Sequence, residues 1–552
     1  MIVKKISGRD CGKEQNTIVN EEREDFIFQL SAFASLSQWH SRLRKEQVPC
    51  DFLASGIQNV EEDEKTVINL NTEKENLAIT GRPESTHVGV HVRSEKEKGN
   101  LELGQYSILG AWPYKIFEKR AGRFWENGEE KGEASSEVFL QQLGKYLRKH
   151  KRENPTKSKD WKWGNLPITA GAVAYFSYDF GRELEEIQSQ HTMEGALPDA
   201  RVVFYDLFLV EEHVTGDVFL CTEEKLHKWD WYVHKLEEMQ KKERKQLAFQ
   251  KKVGEAKALF ADFYTSDKKK EQLAPFALRM VSDFQPEEYQ QAILDLQAYM
   301  GAGDIYVANM TRRIRIDSPA EPLKVFQQLQ KNNPSPFGAY IDLGDGQLLC
   351  ASPERFMQLR DGQIKTRPIK GTRKRGATPE EDQRLRRELA NSEKDKNELL
   401  MIVDLERNDL NRICKAGSVK VQELYVVETY ATVFQLVAEI VGELREDLDV
   451  TDVIRCGFPG GSITGAPKIR CMEIMDALEH SARGAYTGTI GYLALDGDCD
   501  LNIIIRTALH QNGSYHIGVG GGITVESDPV FEYEETCQKA KAVVAAIWEA
   551  EK

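Results

Sequence analysis

The second half of the chain alternates stretches of helical and of extended patterning. Gln285-Pro-Glu-Glu-Tyr-Gln-Gln-Ala-Ile-Leu-Asp-Leu-Gln-Ala-Tyr-Met300 repeats apolar residues at three- and four-residue spacing, which predicts an amphipathic helix stopped by Gly301. The same spacing predicts helices at 379–392, 394–403, 431–444, 467–478 and 531–549. Runs rich in Val, Ile, Tyr and Thr predict strands at 304–311, 347–351, 418–427, 486–495, 502–510 and 515–519. Upstream, Gln105–Pro113 reads as a strand entering a turn and Arg201–Val210 as a strand, and Ile168–Gly181 is a small, aromatic run. Leu226, Trp229, Tyr232, Val233, Leu236 and Met239 form an apolar stripe, so the charged stretch 223–263 predicts a long surface helix or helix pair between two parts of the chain. Strands in groups with helices between them predict an α+β protein with large antiparallel sheets and outer helices.

Residues 1–100 are polar, with mixed-charge runs such as Glu61–Lys65 and Glu95–Lys98, which predict an inserted or loosely ordered segment. The 552 residues carry 74 basic and 88 acidic side chains, a net charge of −14, which argues against a general nucleic-acid binder. No apolar run approaches the ~20 residues of a membrane helix, and the first ten residues lack the apolar centre of a signal peptide. A cytoplasmic protein is expected, with no membrane or nucleic-acid partner. Cys11, Cys50, Cys221, Cys350, Cys414, Cys456, Cys471, Cys499 and Cys537 are scattered and form no C-x-x-C pair, so they read as isolated thiols.

Arg367-Pro-Ile-Lys-Gly-Thr-Arg-Lys-Arg-Gly376 fixes Lys370 between Ile369 and Gly371. Partial burial, or the neighbouring cations Lys365, Arg367, Arg373, Lys374 and Arg375, could free its amine to attack carbon. Taken alone, the run reads first as a basic loop with Lys370 in solvent. Gly460-Gly-Ser-Ile-Thr-Gly-Ala-Pro-Lys468 is not a phosphate loop, because Ala466 and Pro467 separate the last glycine from Lys468. It is a helix-entry turn whose N–H groups would suit an anion. Glu398 sits on a predicted helix, and Glu532 and Glu535 share a face of the last helix with Lys539 one turn on. Carboxylates converging without His or Cys suit a hard cation such as Mg²⁺; a solvated acidic face is the alternative. Gly518-Val-Gly-Gly-Gly-Ile523 thins a strand where a ligand could approach the backbone. Arg506, a cation in an apolar strand, should face an anion.

Taken together, Ala351-Ser-Pro-Glu-Arg-Phe356, Arg367–Thr372, Met401-Ile-Val-Asp-Leu-Glu-Arg-Asn-Asp-Leu410, Phe458–Lys468 and Gly520-Gly-Gly-Ile523 resemble, in order, the motifs of the chorismate-binding enzyme family. The resemblance spans roughly residues 280–545. It continues more weakly through Tyr106–Gly110 and Gly171–Gly181. It implies two large, mostly antiparallel sheets packed face to face with helices outside. It also implies an N-terminal region at 1–275, with charged insertions and a helical linker at about 223–275, and a catalytic region at 276–552.

Members differ at single positions. Anthranilate synthases carry Ala where this chain has Lys370, whereas the aminodeoxychorismate-forming members carry Lys. The resemblance therefore implies conversion of chorismate and ammonia to 4-amino-4-deoxychorismate for folate synthesis, through a lysine-bound intermediate. Anthranilate formation is the alternative reading, and a silent chorismate- or tryptophan-binding subunit the second. Residue by residue, it implies Lys370 as nucleophile and Glu354 as general acid/base. Glu398 and Glu535 are implied as Mg²⁺ ligands, with Glu532 nearby. Arg506, Lys539, Tyr486, Thr464, Gly465, Gly521 and Gly522 are implied as substrate contacts. Water-adding relatives place a base lysine where this chain has Val307. Many relatives also place His at or beside Phe434 and Gln435, which this chain lacks. No cysteine has glycine two residues before and two after it, so a separate glutamine amidotransferase subunit is expected to supply ammonia. Phe52-Leu-Ala-Ser-Gly56 only faintly matches the family's tryptophan pocket.

Overall fold

The computed structural model describes residues 2–7, 36–54, 104–159, 161, 165–191, 197–213, 215–239, 276, 279–430 and 433–552. Most of the polar stretch within 1–100 lies outside these residues, as do Ser55, Gly56 and the expected linker beyond 239.

Two long strands organise the molecule. Tyr106–Arg120 and Ala200–Glu212 pair antiparallel, Tyr106 opposite Glu212 and Lys119 opposite Ala200. Their register slips between Pro113 and Lys115, beside Trp112 at φ +58°. On either side of that bulge the strands acquire different partners, so each belongs to two sheets. One sheet runs from Asp217–Thr222 through these strands to Cys50–Ala54, Phe337–Asp342, Gln347–Ser352, Thr507–Gln511, Ser514–Ile523 and Val307–Asp317. The other runs through Gly171–Phe176, Thr489–Ala494, Cys499–Asn502, Arg355–Arg360 and Gln363–Arg367 to Val433–Glu443. That last strand also carries Ile369–Lys374 and Lys420–Thr429 on its edges. All these pairings are antiparallel, and strands from both regions of the chain, 1–275 and 276–552, enter each sheet.

Val173, Tyr175, Ile490 and Tyr492 of the second sheet share one buried core with Ala339, Ile341, Leu348 and Cys350 of the first, so the sheets pack face to face as expected. Helices cover both outer faces. Leu140, Leu389, Leu399 and Val453 bring the helices Ser136–Lys149, Pro379–Ala390, Glu393–Ile413 and Val450–Gly457 onto the second sheet. Leu43, Phe326 and Val543 bring Leu36–Lys45, Pro322–Asn332 and Pro529–Ala550 onto the first, together with Tyr232 and Leu236 from helical residues 229–239.

Three expectations need correction. The segment 431–444 is not a helix; Val433–Glu443 is a strand with neighbours on both edges and both faces buried. Such a strand loses the apolar–polar alternation and reads like a buried helix. Second, Arg506 is not within a strand. It lies at φ +54° in the turn between Cys499–Asn502 and Thr507–Gln511. Third, the helix expected at 394–403, which carries Glu398, is longer: it spans the 21 residues Glu393–Ile413 and continues through the motif that follows Glu398.

Candidate active site

Lys370 is held by the strand that carries it. Arg367, buried, sits among Glu423 at 3.0 Å, Glu428 at 2.6 Å and Glu439 at 2.8 Å, pinning the start of the segment. Removing one partner of such a buried cluster costs about 3–5 kcal/mol. The register then slips between Lys370 and Thr372, where Gly371 has φ +77°. A Cβ there would lie 2.7 Å from the Asp395 carboxyl carbon, so only glycine lets the helix Glu393–Ile413 approach. Lys370 Nζ donates to the Ser462 carbonyl at 3.0 Å.

The cations next to Lys370 in sequence are not its partners in space. Arg373 is taken by Glu388 and Asp395, and Arg375 by Asp382. The charges that act with Lys370 are carboxylates, namely Glu354, Glu398 and Glu535.

Glu354 is 6% exposed. Its N–H donates to Ser352 Oγ at 3.2 Å and its carbonyl accepts from Ile503 N at 3.0 Å, which fixes its backbone. Its Oε1 has no hydrogen-bond partner, a deficit of about 1–3 kcal/mol. Burial pushes the carboxyl above its ordinary range, opposed by the Ser462 hydroxyl and the Lys370 charge. A carboxyl so placed holds a proton readily and can give it up to a leaving oxygen.

Glu398, Glu532 and Glu535 surround the glycine strand. A Cβ on Gly522 would lie 3.4 Å from Lys370 Nζ and 3.9 Å from Glu398 Oε2; one on Gly521 would lie 3.2 Å from Glu532 Oε2 and 3.5 Å from Glu535 Oε2. Side chains at either position would fill the space these groups share. Ser527 Oγ bonds Glu532 Oε1 at 2.8 Å, while Oε2 is buried without a partner. Burial, with Glu535 beside it, raises Glu532 to about 7. Burial also lifts Glu398. Burial would lift Glu535 as well, but Lys539 Nζ at 3.0 Å outweighs it and holds Glu535 low. Lys394 bridges Glu398 and Glu532 at 3.9 Å each.

Among the described residues no three Asp, Glu, His or Cys side chains close on a point as a finished metal cage would. A Mg²⁺ ion does not need one, since it takes one or two protein carboxylates and fills the rest with water and substrate oxygens. The orphaned Glu532 oxygen and the crowding of three carboxylates fit such an ion.

The glycine-rich loop forms the floor. Gly465 has φ +145°, and a Cβ there would lie 2.2 Å from the Val307 carbonyl. Thr464 is buried with its hydroxyl donated to the Gly460 carbonyl at 2.9 Å, so it shapes the loop. Lys468, at the end of the motif, pairs with Asp409 at 2.7 Å and ties the loop to the helix Glu393–Ile413. Sequence reasoning missed the main anchor: Arg483 donates to the Ile463 carbonyl at 2.8 Å and the Asn309 carbonyl at 2.7 Å while paired with Glu479 at 2.7 Å. No periodic signal marks it, since Glu479 and Arg483 fall beyond the end of a helix. Asn309 Nδ2 and Gln435 Oε1 are buried without partners. Val307 is buried and apolar, so no base stands there.

Arg506 reaches Lys539 through its carbonyl, Nη1 to O at 3.4 Å. Burial pulls the guanidinium below its ordinary pKa, against the pull of Tyr486 and Glu535, which leaves an under-compensated cation. Lys539 Nζ also donates to the Gly520 carbonyl at 2.8 Å. Tyr486 packs on Gly518, whose Cβ would fall 2.1 Å from the ring. A cavity of about 260 Å³ reaches Tyr486, Gly518 and Thr311 from the side of Arg313 and Gln511, and does not include Lys370, Glu354 or the three carboxylates.

The model of the chorismate binding enzyme family matches residues 104–545. Aminodeoxychorismate synthase component 1 of Klebsiella aerogenes is 38% identical over 382 residues, 69% of this chain and 78% of that protein. Anthranilate synthase component 1 of Aquifex aeolicus is 33% identical over 463 residues, 83% of this chain and 89% of that protein. Among solved structures, anthranilate synthase component I from Streptococcus pneumoniae superposes with a TM-score of 0.63 at 27% identity, covering 84% of this chain and 95% of that one. The isochorismate synthase MenF of Escherichia coli shares the fold at a TM-score of 0.56 and 16% identity, covering 81% of this chain and 86% of that one.

Proposed function

The chain belongs to the chorismate-binding enzyme family, and we propose that within it this protein aminates chorismate at ring carbon four, forming 4-amino-4-deoxychorismate for folate synthesis. The observation that carries the reading is Lys370: a primary amine held by Ser462 against Gly522, with Glu354 beside it. The family resemblance implies alanine at that position in anthranilate-forming members.

The residues take the following parts. Arg506 and Lys539 hold one carboxylate of the chorismate dianion, with Tyr486 and the Gly521 and Gly522 backbone lining the approach. Glu398 and Glu535, with Glu532 close by, would hold Mg²⁺. When bound, the ion supplies positive charge that neutralises the other substrate carboxylate. Glu354 accepts the proton that the Lys370 amine sheds. Lys370 Nζ then bonds to ring carbon two, the double bond shifts, and the carbon–oxygen bond at carbon four breaks as Glu354 protonates the departing hydroxyl to water. Ammonia bonds to carbon four, the double bond shifts back and the carbon–lysine bond breaks. The balance is one ammonia in and one water out. The family resemblance implies His at or beside Phe434 and Gln435 in many members; Gln435 cannot shuttle a proton, so Glu354 and Lys370 carry the proton traffic.

Ammonia at neutral pH is mostly ammonium, which has no lone pair. The names of the component 1 relatives imply a second component, and a glutamine amidotransferase partner would deliver neutral ammonia. The test is an assay with chorismate, Mg²⁺ and either ammonium or glutamine, with and without such a partner.

Anthranilate synthesis is the second reading, supported by the Aquifex aeolicus and Streptococcus pneumoniae likenesses. It requires elimination of the pyruvyl group as well, and Lys370 fits the first reading better.

A further inference from the structure

Glu406 lies on the buried stripe of the helix Glu393–Ile413, alongside Leu399, Ile402, Val403, Leu410 and Ile413. Its Oε2 is 2.8 Å from Thr366 Oγ1, and the same hydroxyl is 2.8 Å from the Phe356 carbonyl oxygen. A threonine hydroxyl owns one hydrogen, and a carbonyl oxygen only accepts. With that hydrogen given to Phe356, the contact between Thr366 and Glu406 needs a hydrogen from the carboxyl. The Phe356 carbonyl lies where the register slips between Arg355 and Gln358. Glu406 also lies beneath the site loop, since a Cβ on Gly461 would stand 3.7 Å from its Cγ. Phe356 follows Glu354 by two residues, and Gly461 precedes Ser462, the acceptor of Lys370.

We propose that Glu406 is a protonated carboxylic acid, a positioning residue that donates to Thr366 and holds the strand Arg355–Arg360, which Glu354 immediately precedes, and the Ser462 loop in register. Its catalytic consequence rests on the reading of Glu354 and Lys370 as the reacting groups. The charged groups that face it are Glu354, Asp409 and Lys468, and Lys468 is spent on Asp409 at 2.7 Å. Burial first, then the negative charges of Glu354 and Asp409, lift the carboxyl to about 8, against the Lys468 charge. The folded state therefore keeps a proton that the unfolded chain releases near its ordinary 4.5. Stability from this group is full below that ordinary value and is lost as pH rises to about 8.

Glu406→Gln keeps a donor and cannot ionise. Its melting temperature should gain on the wild type by roughly a few °C as pH rises through that window, then level off. Difference infrared spectra should show a protonated-carboxyl C=O band in the wild type that is missing from the variant. Glu406→Leu, which has no donor, should lose roughly tenfold in kcat with little change in KM, and Gln should restore the rate. A flat melting difference, no lost carboxyl band, or a Gln variant as slow as Leu would overturn the proposal. Should Glu406→Leu not fold, the Gln variant and the infrared band still decide. A wild-type protein that fails to aminate chorismate would strike the proposed function and leave the melting and infrared results standing.

Discussion

Lys370 Nζ and the Ser462 carbonyl are joined by a 3.0 Å hydrogen bond that links the strand Ile369–Lys374 to the glycine-rich loop. The two segments are 92 residues apart, and their contact sets the amine over Gly522. If Lys370 is the nucleophile, Lys370→Ala should abolish trapping of a covalent enzyme–substrate species and slow amination roughly 10²–10³-fold. Residual turnover should rise with ammonium concentration, because free ammonia can attack directly. Mass spectrometry of the quenched enzyme together with steady-state rates checks both; full activity in the variant would remove Lys370 from the chemistry.

Glu354→Gln keeps the shape and removes the proton carrier. The rate should fall about 10²–10⁴-fold with chorismate binding largely kept. Isothermal titration beside kinetics separates the two, and a loss confined to binding would assign Glu354 to substrate holding.

The acidic cluster should show itself through Mg²⁺. Glu398→Gln or Glu535→Gln should raise the Mg²⁺ concentration for half-maximal rate by roughly tenfold or more. Glu532 is raised to about 7, chiefly by burial. It must shed its proton for the site to carry full charge, so Mg²⁺ should bind more weakly below that pH than above it. Titration of Mg²⁺ at two pH values tests this. Turnover untouched by EDTA would remove Mg²⁺ from the acidic cluster.

The motif residues Lys370, Glu354, Glu398, Glu532, Glu535, Lys539, Gly521 and Gly522 were legible in the sequence and meet in space. What escaped the sequence was the environment. The flanking cations suggest activation of Lys370, but Arg373 and Arg375 pair with carboxylates of their own on the helices Pro379–Ala390 and Glu393–Ile413. Val433–Glu443 patterns like a helix because a strand buried on both faces shows no period of two. The anchoring by Arg483 and the protonated Glu406 depend on contacts across 20 to 174 and 40 residues, respectively, which no local pattern encodes.

With glutamine as the nitrogen source, the purified chain alone should be inert, and it should work with ammonium at raised pH. Adding a glutamine amidotransferase partner should restore glutamine-dependent turnover. Steady amination from glutamine by the chain alone, free of contaminating glutaminase, would contradict the two-component reading.

The most direct measurement follows the product. Purified protein, chorismate, Mg²⁺ and ammonium are incubated, and products are resolved by chromatography before and after an aminodeoxychorismate lyase is added. The proposed function predicts a non-aromatic amino product that becomes para-aminobenzoate, with pyruvate released, only after the lyase is added. Anthranilate and pyruvate formed by this chain alone would contradict it.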